Sequence, residues 1–326
     1  MRFVFFGAGA VGGAVGGRLA QAGHRVVLIA RHAVCSAIRE RGLRLEAPDS
    51  IATVYPEVAE SPEALSWTPE DIVFLSMKTQ DAAPAVQALA ALAPADVPVV
   101  CMQNAVENER IALRYFENVY GVCVMCPAAY LTPGIVQAWC APVTGILDIG
   151  RYPSGVDDTA RQIAATLETA SFVSLPRPDI MRWKYSKLLM NLGNALEAVC
   201  GPSGRRSRLG ELARAEALAA FAAAGIDYVS EEDDRVRRGD LLRSGPIGEK
   251  NRQGGSSWQS LKRRIRNIEA DYFNGEIVLL GRLHGVPTPV NRLLQVTANE
   301  MARSGREPGT IPLDELLALL DHEATR

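Results

Sequence analysis

Six residues near the N-terminus, Gly7-Ala8-Gly9-Ala10-Val11-Gly12, constrain the fold more than any other segment of the chain. The apolar run Arg2–Phe6 before them reads as a buried strand. Small residues from Ala10 to Ala22 read as a helix that Gly23 stops, and Val26–Ala30 reads as a second strand. Strand, glycine turn, helix and strand make a β-α-β unit, whose crossover implies a parallel sheet. In that setting G-x-G-x-x-G has a definite physical meaning. The first glycine permits the tight turn, the second lets backbone approach a pyrophosphate, and the third lets helix and strand pack closely. The helix N-terminus offers unpaired N–H groups and the positive end of its dipole to the phosphates. Gly7, Gly9, Ala10, Val11 and Gly12 are therefore the expected dinucleotide-binding residues.

The end of the second strand bears on which dinucleotide is bound. A site for NAD commonly places an acidic residue about 20 positions downstream to hold the ribose 2′-hydroxyl. Here Arg31 stands 19 residues after Gly12, and no carboxylate occurs between Gly23 and Ile38. An arginine pairs with a 2′-phosphate, and the missing carboxylate removes repulsion against it. The expected cofactor is NADP, as NADPH, with Arg31 among its ligands.

Further strands are expected at Ile72–Met77, Val97–Met102, Val119–Met125 and Gly145–Ile149, with a helix over Ala82–Leu92 between the first two. This alternation predicts an α/β fold: an N-terminal Rossmann-type parallel sheet domain, residues 1–178. Beyond Pro176 and Pro178 the pattern turns helical, over Ile180–Val199, Leu209–Ser230, Ser260–Leu283, Pro289–Arg303 and Leu313–His322. Residues 179–326 are thus expected to form an all-α C-terminal domain. The charged stretch Glu231–Arg243 reads as a solvated face and connector.

Charge and cysteine content remove other classes. With 35 basic and 37 acidic residues the net charge is −2, and no excess of basic charge points to nucleic acid or to anionic lipid. The run Lys262-Arg263-Arg264-Ile265-Arg266 reads as a solvated helix face. No run is long and apolar enough to span a bilayer, and the N-terminal run is too rich in glycine for a signal sequence, so a cytoplasmic protein is expected. Cys123 and Cys126 form a C-x-x-C, yet no second Cys/His pair accompanies it, so buried thiols and no metal are expected.

Ligands of open α/β sheets gather at the carboxyl ends of strands, where Lys78 and Asn104 would overlook the dinucleotide. In the helical half, Lys187 and Asn191 are four apart and share a helix face within an apolar stretch. Lysine is rarely buried without a partner or a purpose. Ser257 and Glu269 come later, 12 residues apart, a separation of about 18 Å along one straight helix. Both serve one site only if the helix begins after Ser257, with Ser260 as its N-cap.

Taken in order, these segments resemble the ketopantoate reductase (2-dehydropantoate 2-reductase) family. The resemblance rests on the glycine motif with Arg31, on Lys78, on the Asn104 turn, on Lys187-Leu-x-x-Asn191, and on Ser257 with the run Glu269-Ala-Asp-Tyr-Phe-Asn-Gly275. It implies a Rossmann domain, a helical domain and a cleft between them. It also implies NADPH-dependent reduction of a small-molecule 2-oxo acid, ketopantoate of pantothenate biosynthesis. Carried over by motif, Lys187 would be the general acid, and Glu269 would assist it. Asn104 and Asn191 would orient the substrate, Ser257 would hold its carboxylate, and Lys78 and Asn104 would lie near the nicotinamide. Three positions depart from the family pattern. Ala105 stands where glycine often follows the asparagine, Asn194 follows Asn191 by three residues instead of four, and Ile268 replaces a frequent threonine. These departures leave room for another carbonyl or imine substrate on the same fold. A non-catalytic dinucleotide sensor is a third expectation, and a homodimer is left open.

Overall fold

A computed structural model describes residues 1–324. The first element is the expected unit: β1 (Arg2–Phe6), α1 (Ala10–Gln21) and β2 (Arg25–Ile29). β1 and β2 pair in parallel, Arg2 opposite Arg25 and Phe6 opposite Ile29. There follow α2 (His32–Arg41), β3 (Leu43–Glu46), β4 (Ile51–Val54) and β5 (Glu57–Ala59). Next come β6 (Asp71–Leu75), α3 (Ala82–Ala90), β7 (Val99–Cys101), α4 (Asn108–Leu113) and β8 (Val119–Met125). The part closes with β9 (Ala128–Thr132), β10 (Ile135–Ala138), β11 (Gly145–Arg151), α5 (Asp158–Glu168) and β12 (Phe172–Val173). The described residues form an eight-stranded sheet in the order β12-β11-β8-β7-β6-β1-β2-β5, and a four-stranded sheet, β4-β3-β10-β9. The large sheet is parallel from β5 through β8. β11 then pairs antiparallel with β8, so the sheet is mixed at that edge.

Helix α1 lies between the two sheets, which explains its unusual sequence. A Cβ at Gly16 would come within 2.8 Å of Leu28 on β2. A Cβ at Gly13 would come within 2.6 Å of Val136 on β10, and one at Gly17 within 2.6 Å of Leu45 on β3. Gly12 and Gly16 are one turn apart, as are Gly13 and Gly17, so two adjacent faces of the helix are stripped bare. These glycines serve close packing inside a helix. Only Gly7 and Gly9 belong to the turn.

The helical part contains α6 (Ile180–Asn191), α7 (Gly193–Cys200) and α8 (Arg208–Ala224). After α9 (Glu231–Arg238) come α10 (Ser256–Lys262), α11 (Asn274–His284), α12 (Pro289–Ser304) and α13 (Leu313–Ala324). α6 passes into α7 through Leu192, whose φ/ψ of −56°/−36° stay helical. The expected single helix Ser260–Leu283 does not form. α10 starts earlier, with Gly255 as N-cap, and ends where Arg264 turns left-handed at φ 55°. The chain then re-enters through a 3-10 turn, Glu269–Tyr272, before α11. Ser260 is therefore inside α10, and its hydroxyl donates back to the Ser256 carbonyl at 2.9 Å. The basic run begins at Lys262, the last residue of α10, and continues through the turn that follows it instead of along a helix face; Lys262 pairs with Glu307 at 3.2 Å.

Leu196, Leu209, Leu294 and Leu316 are fully buried in the core of these helices. A buried polar network crosses that core. The Glu216 carboxylate of α8 accepts from the backbone N–H of Val290 at 2.8 Å and of Asn291 at 2.9 Å, capping α12. Asn291 donates to the Ala213 carbonyl at 2.9 Å, and Asn274 donates to Asn291 at 3.0 Å and to the Leu192 carbonyl at 3.4 Å.

The chain divides into two compact units, but not at a single break after residue 178. Met1–Lys184 is joined by Ser230–Arg252, while Tyr185–Val229 belongs with the chain from Gln253 onward. The stretch read as a solvated connector is the reason. Asp148 of β11, 2% exposed, accepts from Arg237 Nε at 2.8 Å, from Arg177 Nε at 3.1 Å and from the Leu175 N–H at 2.9 Å. Charges at the sequence level do not reveal which of them face inward. Glu232 and Arg235 of α9 are exposed as expected, whereas Arg237 is spent on a buried carboxylate. Replacing Asp148 by alanine leaves two guanidinium groups without their shared partner, and we expect a loss of about 3–5 kcal/mol in urea denaturation.

Candidate active site

The turn after β1 is shaped by neighbouring strand ends. Gly7 adopts φ 114°, and its N–H donates to the Ile29 carbonyl at 3.0 Å. The Ser76 hydroxyl, just past β6, donates to the Gly7 carbonyl at 2.8 Å, a tie that the motif alone does not reveal. A Cβ at Gly12 would run into the Gly7 carbonyl oxygen and Ser76 Oγ. Gly9 differs, because a Cβ there would meet nothing within 4 Å. Its lack of a side chain is not demanded by the protein's own packing, and it leaves open space over the first turn of α1. Gly9 is the N-cap and supplies no side-chain hydrogen bond, and that turn carries no acidic residue. Ala10, Val11 and Gly12 follow it as the first residues of α1, so the cradle fits a phosphate group.

Arg31, exposed, is the N-cap of α2; its carbonyl accepts from the Val34 and Cys35 N–H groups, and its side chain makes no hydrogen bond or ion pair among the described residues. A carboxylate is nevertheless close along the chain's neighbouring strand. Glu60 follows β5 and pairs with His32 at 3.2 Å and with Arg39 at 3.3 Å. The carboxylate absent from β2 thus appears beside it, already taken up by two cationic or titratable partners.

The turns after β6 and β7 are tied into one block. Lys78 is half-buried and caps the short 3-10 turn Thr79–Asp81. The Gln103 side chain donates to the Met77 carbonyl at 3.0 Å, joining the two turns. The Asn104 carbonyl accepts from Asn108 Nδ2 at 2.9 Å and from Thr79 Oγ1 at 3.2 Å. The Asn104 side chain itself makes no hydrogen bond among the described residues, and its Oδ1 is buried. Ala105, standing where the family pattern often has glycine, is left-handed at φ 68°. Lys184 and Glu109 lie beneath this block, at 3% and 0% exposure, their charged groups 2.7 Å apart. Burial pushes the Glu109 carboxyl up, and the Lys184 ammonium opposes that rise. The sequence pattern singles out neither residue, although Lys184 stands three residues before Lys187.

In the helical unit, Lys187 is half-buried on α6 and Asn191 is 6% exposed one turn further on. Asn191 makes no side-chain hydrogen bond among the described residues, and its Nδ2 is buried. Ser257 is 2% exposed in the first turn of α10, and Glu269 is 5% exposed at the start of its 3-10 turn. The sequence expectation had placed Ser257 in a loop. Asn194 is engaged elsewhere, because its side-chain oxygen accepts from the Arg205 guanidinium. Arg205 also donates to Glu197 at 2.8 Å, and Glu197 accepts from the Gly255 N–H at 3.1 Å, holding the N-cap of α10.

The paired cysteines have a plain role. Cys123 is buried with its sulfur 3.6 Å from the Trp183 carbonyl, and burial pushes the Cys126 thiol up to about 12. Both are free. Among the described residues no cluster of His, Cys, Asp and Glu could hold a metal ion, and no helix is long and apolar enough to cross a membrane.

A Rossmann-type cradle followed by a helical unit defines a class of nicotinamide-dinucleotide oxidoreductases. Residues 3–153 match the family described as ketopantoate reductase PanE/ApbA, and residues 179–302 match its C-terminal counterpart, so the chain belongs to the ketopantoate reductase family. It is 31% identical to the 2-dehydropantoate 2-reductase of Mycobacterium tuberculosis over 304 residues, covering 88% of this chain and 93% of that one. A ketopantoate reductase structure from Ralstonia eutropha JMP134 superposes with a TM-score of 0.77 at 28% identity, covering 94% of this chain and all of the other. D-mandelate dehydrogenase in complex with NADH and anilino(oxo)acetate shares the fold, with a TM-score of 0.76 at 22% identity and 94% of this chain covered.

The two motif glycines make opposite predictions. Gly9→Ala is expected to melt within a few degrees of wild type yet to lose at least tenfold in dinucleotide affinity, read by NADPH fluorescence. Gly12→Ala is expected to destabilise the fold by about 1–3 kcal/mol, because its Cβ overlaps backbone. Ala105→Gly is expected to gain about 1 kcal/mol in urea denaturation by relieving a left-handed alanine.

Proposed function

We propose that this chain reduces a 2-oxo acid to a 2-hydroxy acid with NADPH, and that the substrate is 2-dehydropantoate. Lys187 and Asn191 on one face of α6 carry this reading, since Asn191 keeps a buried amide with no partner among the described residues. Burying an amide without a hydrogen bond is costly, so an outside group that completes it is stabilising. Asn104 repeats the pattern, and two such amides suit a small molecule rich in oxygen. Bound at the glycine turn, NADPH supplies the hydride. Lys187 holds a proton at the substrate's carbonyl oxygen and delivers it as charge develops there, so that a ketone leaves as an alcohol. Glu269 assists Lys187. Asn104 and Asn191 orient the substrate, and Ser257 donates to its carboxylate. Lys78 lies toward the nicotinamide end. Arg31 pairs with the 2′-phosphate and so favours NADPH over NADH.

A second reading keeps the chemistry and changes the substrate's side chain. Asn194 favours it, because Arg205 already occupies the oxygen of the one further asparagine on this stretch of helix. The fold shared with D-mandelate dehydrogenase, whose structure holds an oxo acid with a bulky aryl group, supports the same alternative.

The test follows the loss of NADPH absorbance with 2-dehydropantoate and with a panel of aliphatic and aryl 2-oxo acids. We expect turnover with 2-dehydropantoate, with Lys187→Ala lowering kcat/KM by about 100- to 10,000-fold. Arg31→Ala is expected to raise the KM for NADPH about tenfold or more while leaving that for NADH unchanged. Turnover of other oxo acids alone selects the second reading, and binding of NADPH without any turnover defeats both.

A further inference from the structure

Lys184 and Glu109 form an ion pair that is almost wholly removed from water, with side chains 2% and 0% exposed. Such a pair is a poor source of stability, since desolvating both charges offsets most of their attraction, and apolar residues of similar size often serve as well. The pair's partners suggest what an apolar substitute could not do. The Lys184 ammonium, 2.7 Å from the Glu109 carboxylate, also donates to the Gln103 carbonyl at 2.9 Å and to the Val122 carbonyl at 3.4 Å. The Gln103 carbonyl belongs to the peptide that leads into Asn104. The peptide that leaves Asn104 is held from its other end by Asn108 and Thr79. Both peptides flanking this one side chain are therefore gripped.

The grip has something to resist. Ala105 carries a Cβ in a left-handed conformation that most residues avoid. The surrounding fold also makes space for the pair. Gly121 interrupts β8, where a Cβ would come within 3.1 Å of the Glu109 carboxylate and 3.4 Å of the Lys184 stem. Glycine weakens a strand interior, and its presence marks a close approach.

We propose that the Lys184–Glu109 pair is a positioning device that fixes the Asn104 turn, and through it the direction of the Asn104 amide. The functional part of this inference rests on the reading above, in which Asn104 orients the substrate. Lys184 touches neither substrate nor dinucleotide in this account. It acts through the Gln103 carbonyl, and Gln103 extends the same grip to the Met77 carbonyl beside Lys78.

The decisive variant replaces both charges with apolar residues, Lys184→Met together with Glu109→Leu. Melting temperature, NADPH affinity, steady-state kinetics and amide hydrogen exchange over residues 103–108 are read side by side. We expect melting within a few degrees of wild type and unchanged NADPH affinity. Exchange over 103–108 rises at least tenfold, and kcat/KM for the oxo acid falls about 10- to 100-fold, the scale of a misplaced orienting group. Added to Asn104→Ala, the double change costs nothing further in kcat/KM, because both act through one amide. A folded double variant with wild-type exchange and kinetics overturns the proposal, as does a loss fully additive with Asn104→Ala. If the double variant fails to fold, Glu109→Gln, which keeps the shape and removes the charge, is judged by the same readouts. If wild-type protein reduces no 2-oxo acid, the functional reading has failed, and the exchange of residues 103–108 alone decides whether the pair holds the turn.

Discussion

Helix α1 comes so close to both sheets because glycine stands at four of the positions where it meets its neighbours. Gly12 and Gly16 face the large sheet and Gly13 and Gly17 face the smaller one, so the helix is squeezed from two sides. Each glycine inside a helix costs about 1 kcal/mol relative to alanine. The cost is offset by complete burial of Ala14, Val15 and Leu19 between the layers. Close packing then sets where the helix begins. Its first turn is brought against the Gly7 carbonyl and the Ser76 hydroxyl at the carboxyl edge of β1 and β6, with its free N–H groups above that edge. A larger residue at any of the four positions would lift the axis and carry the cradle away with it.

This constraint explains why the dinucleotide half was readable from the chain. G-x-G-x-x-G and strand periodicity are local signals, and each survives without knowledge of distant contacts. Other features depended on contacts far apart in sequence. The smaller sheet joins β3 and β4 with β9 and β10 from beyond residue 125, and short half-exposed strands carry little periodicity. Asp148 and Arg237 lie 89 residues apart, so a connector that looked solvated proved to be part of the first unit. Ser257 was misplaced for a related reason. An N-cap glycine and a left-handed arginine set the ends of α10, and neither is a strong signal in a run of polar residues.

The asparagines of this chain divide by what their side chains do. Asn108, Asn274 and Asn291 spend their amide hydrogens on carbonyls or on each other, and so join elements that would otherwise meet only through apolar contact. Asn104 and Asn191 spend nothing, although Asn191 is buried. Position in the chain does not separate the two groups, since Asn104 and Asn108 are four residues apart and Asn191 is followed closely by Asn194. Hydrogen bonding separates them, and that property is invisible in a sequence. Asn194 shows the point most clearly. Its spacing left its role open, and Arg205 settles where its oxygen goes.

The cradle and the residues Asn104, Asn191 and Ser257 therefore answer to different physical controls. Steric exclusion builds the cradle: a Cβ at Gly7 or Gly12 would collide with backbone, although one at Gly9 would not. Chains of hydrogen bonds hold the backbone beside Ser257, Asn191 and Asn104. Glu197 and Arg205 hold the N-cap before Ser257, Asn274 holds the Leu192 carbonyl beside Asn191, and Lys184 holds the peptide before Asn104. A polar network can be rewired by exchanging one partner while the apolar core keeps its volume. Of the departures from the family pattern, Ala105 and Asn194 adjoin such hydrogen bonds, whereas Ile268 packs in the apolar core of the helices. Packing therefore fixes the shape of the dinucleotide cradle, whereas exchanging one hydrogen-bond partner is enough to redirect Asn104, Asn191 or Ser257.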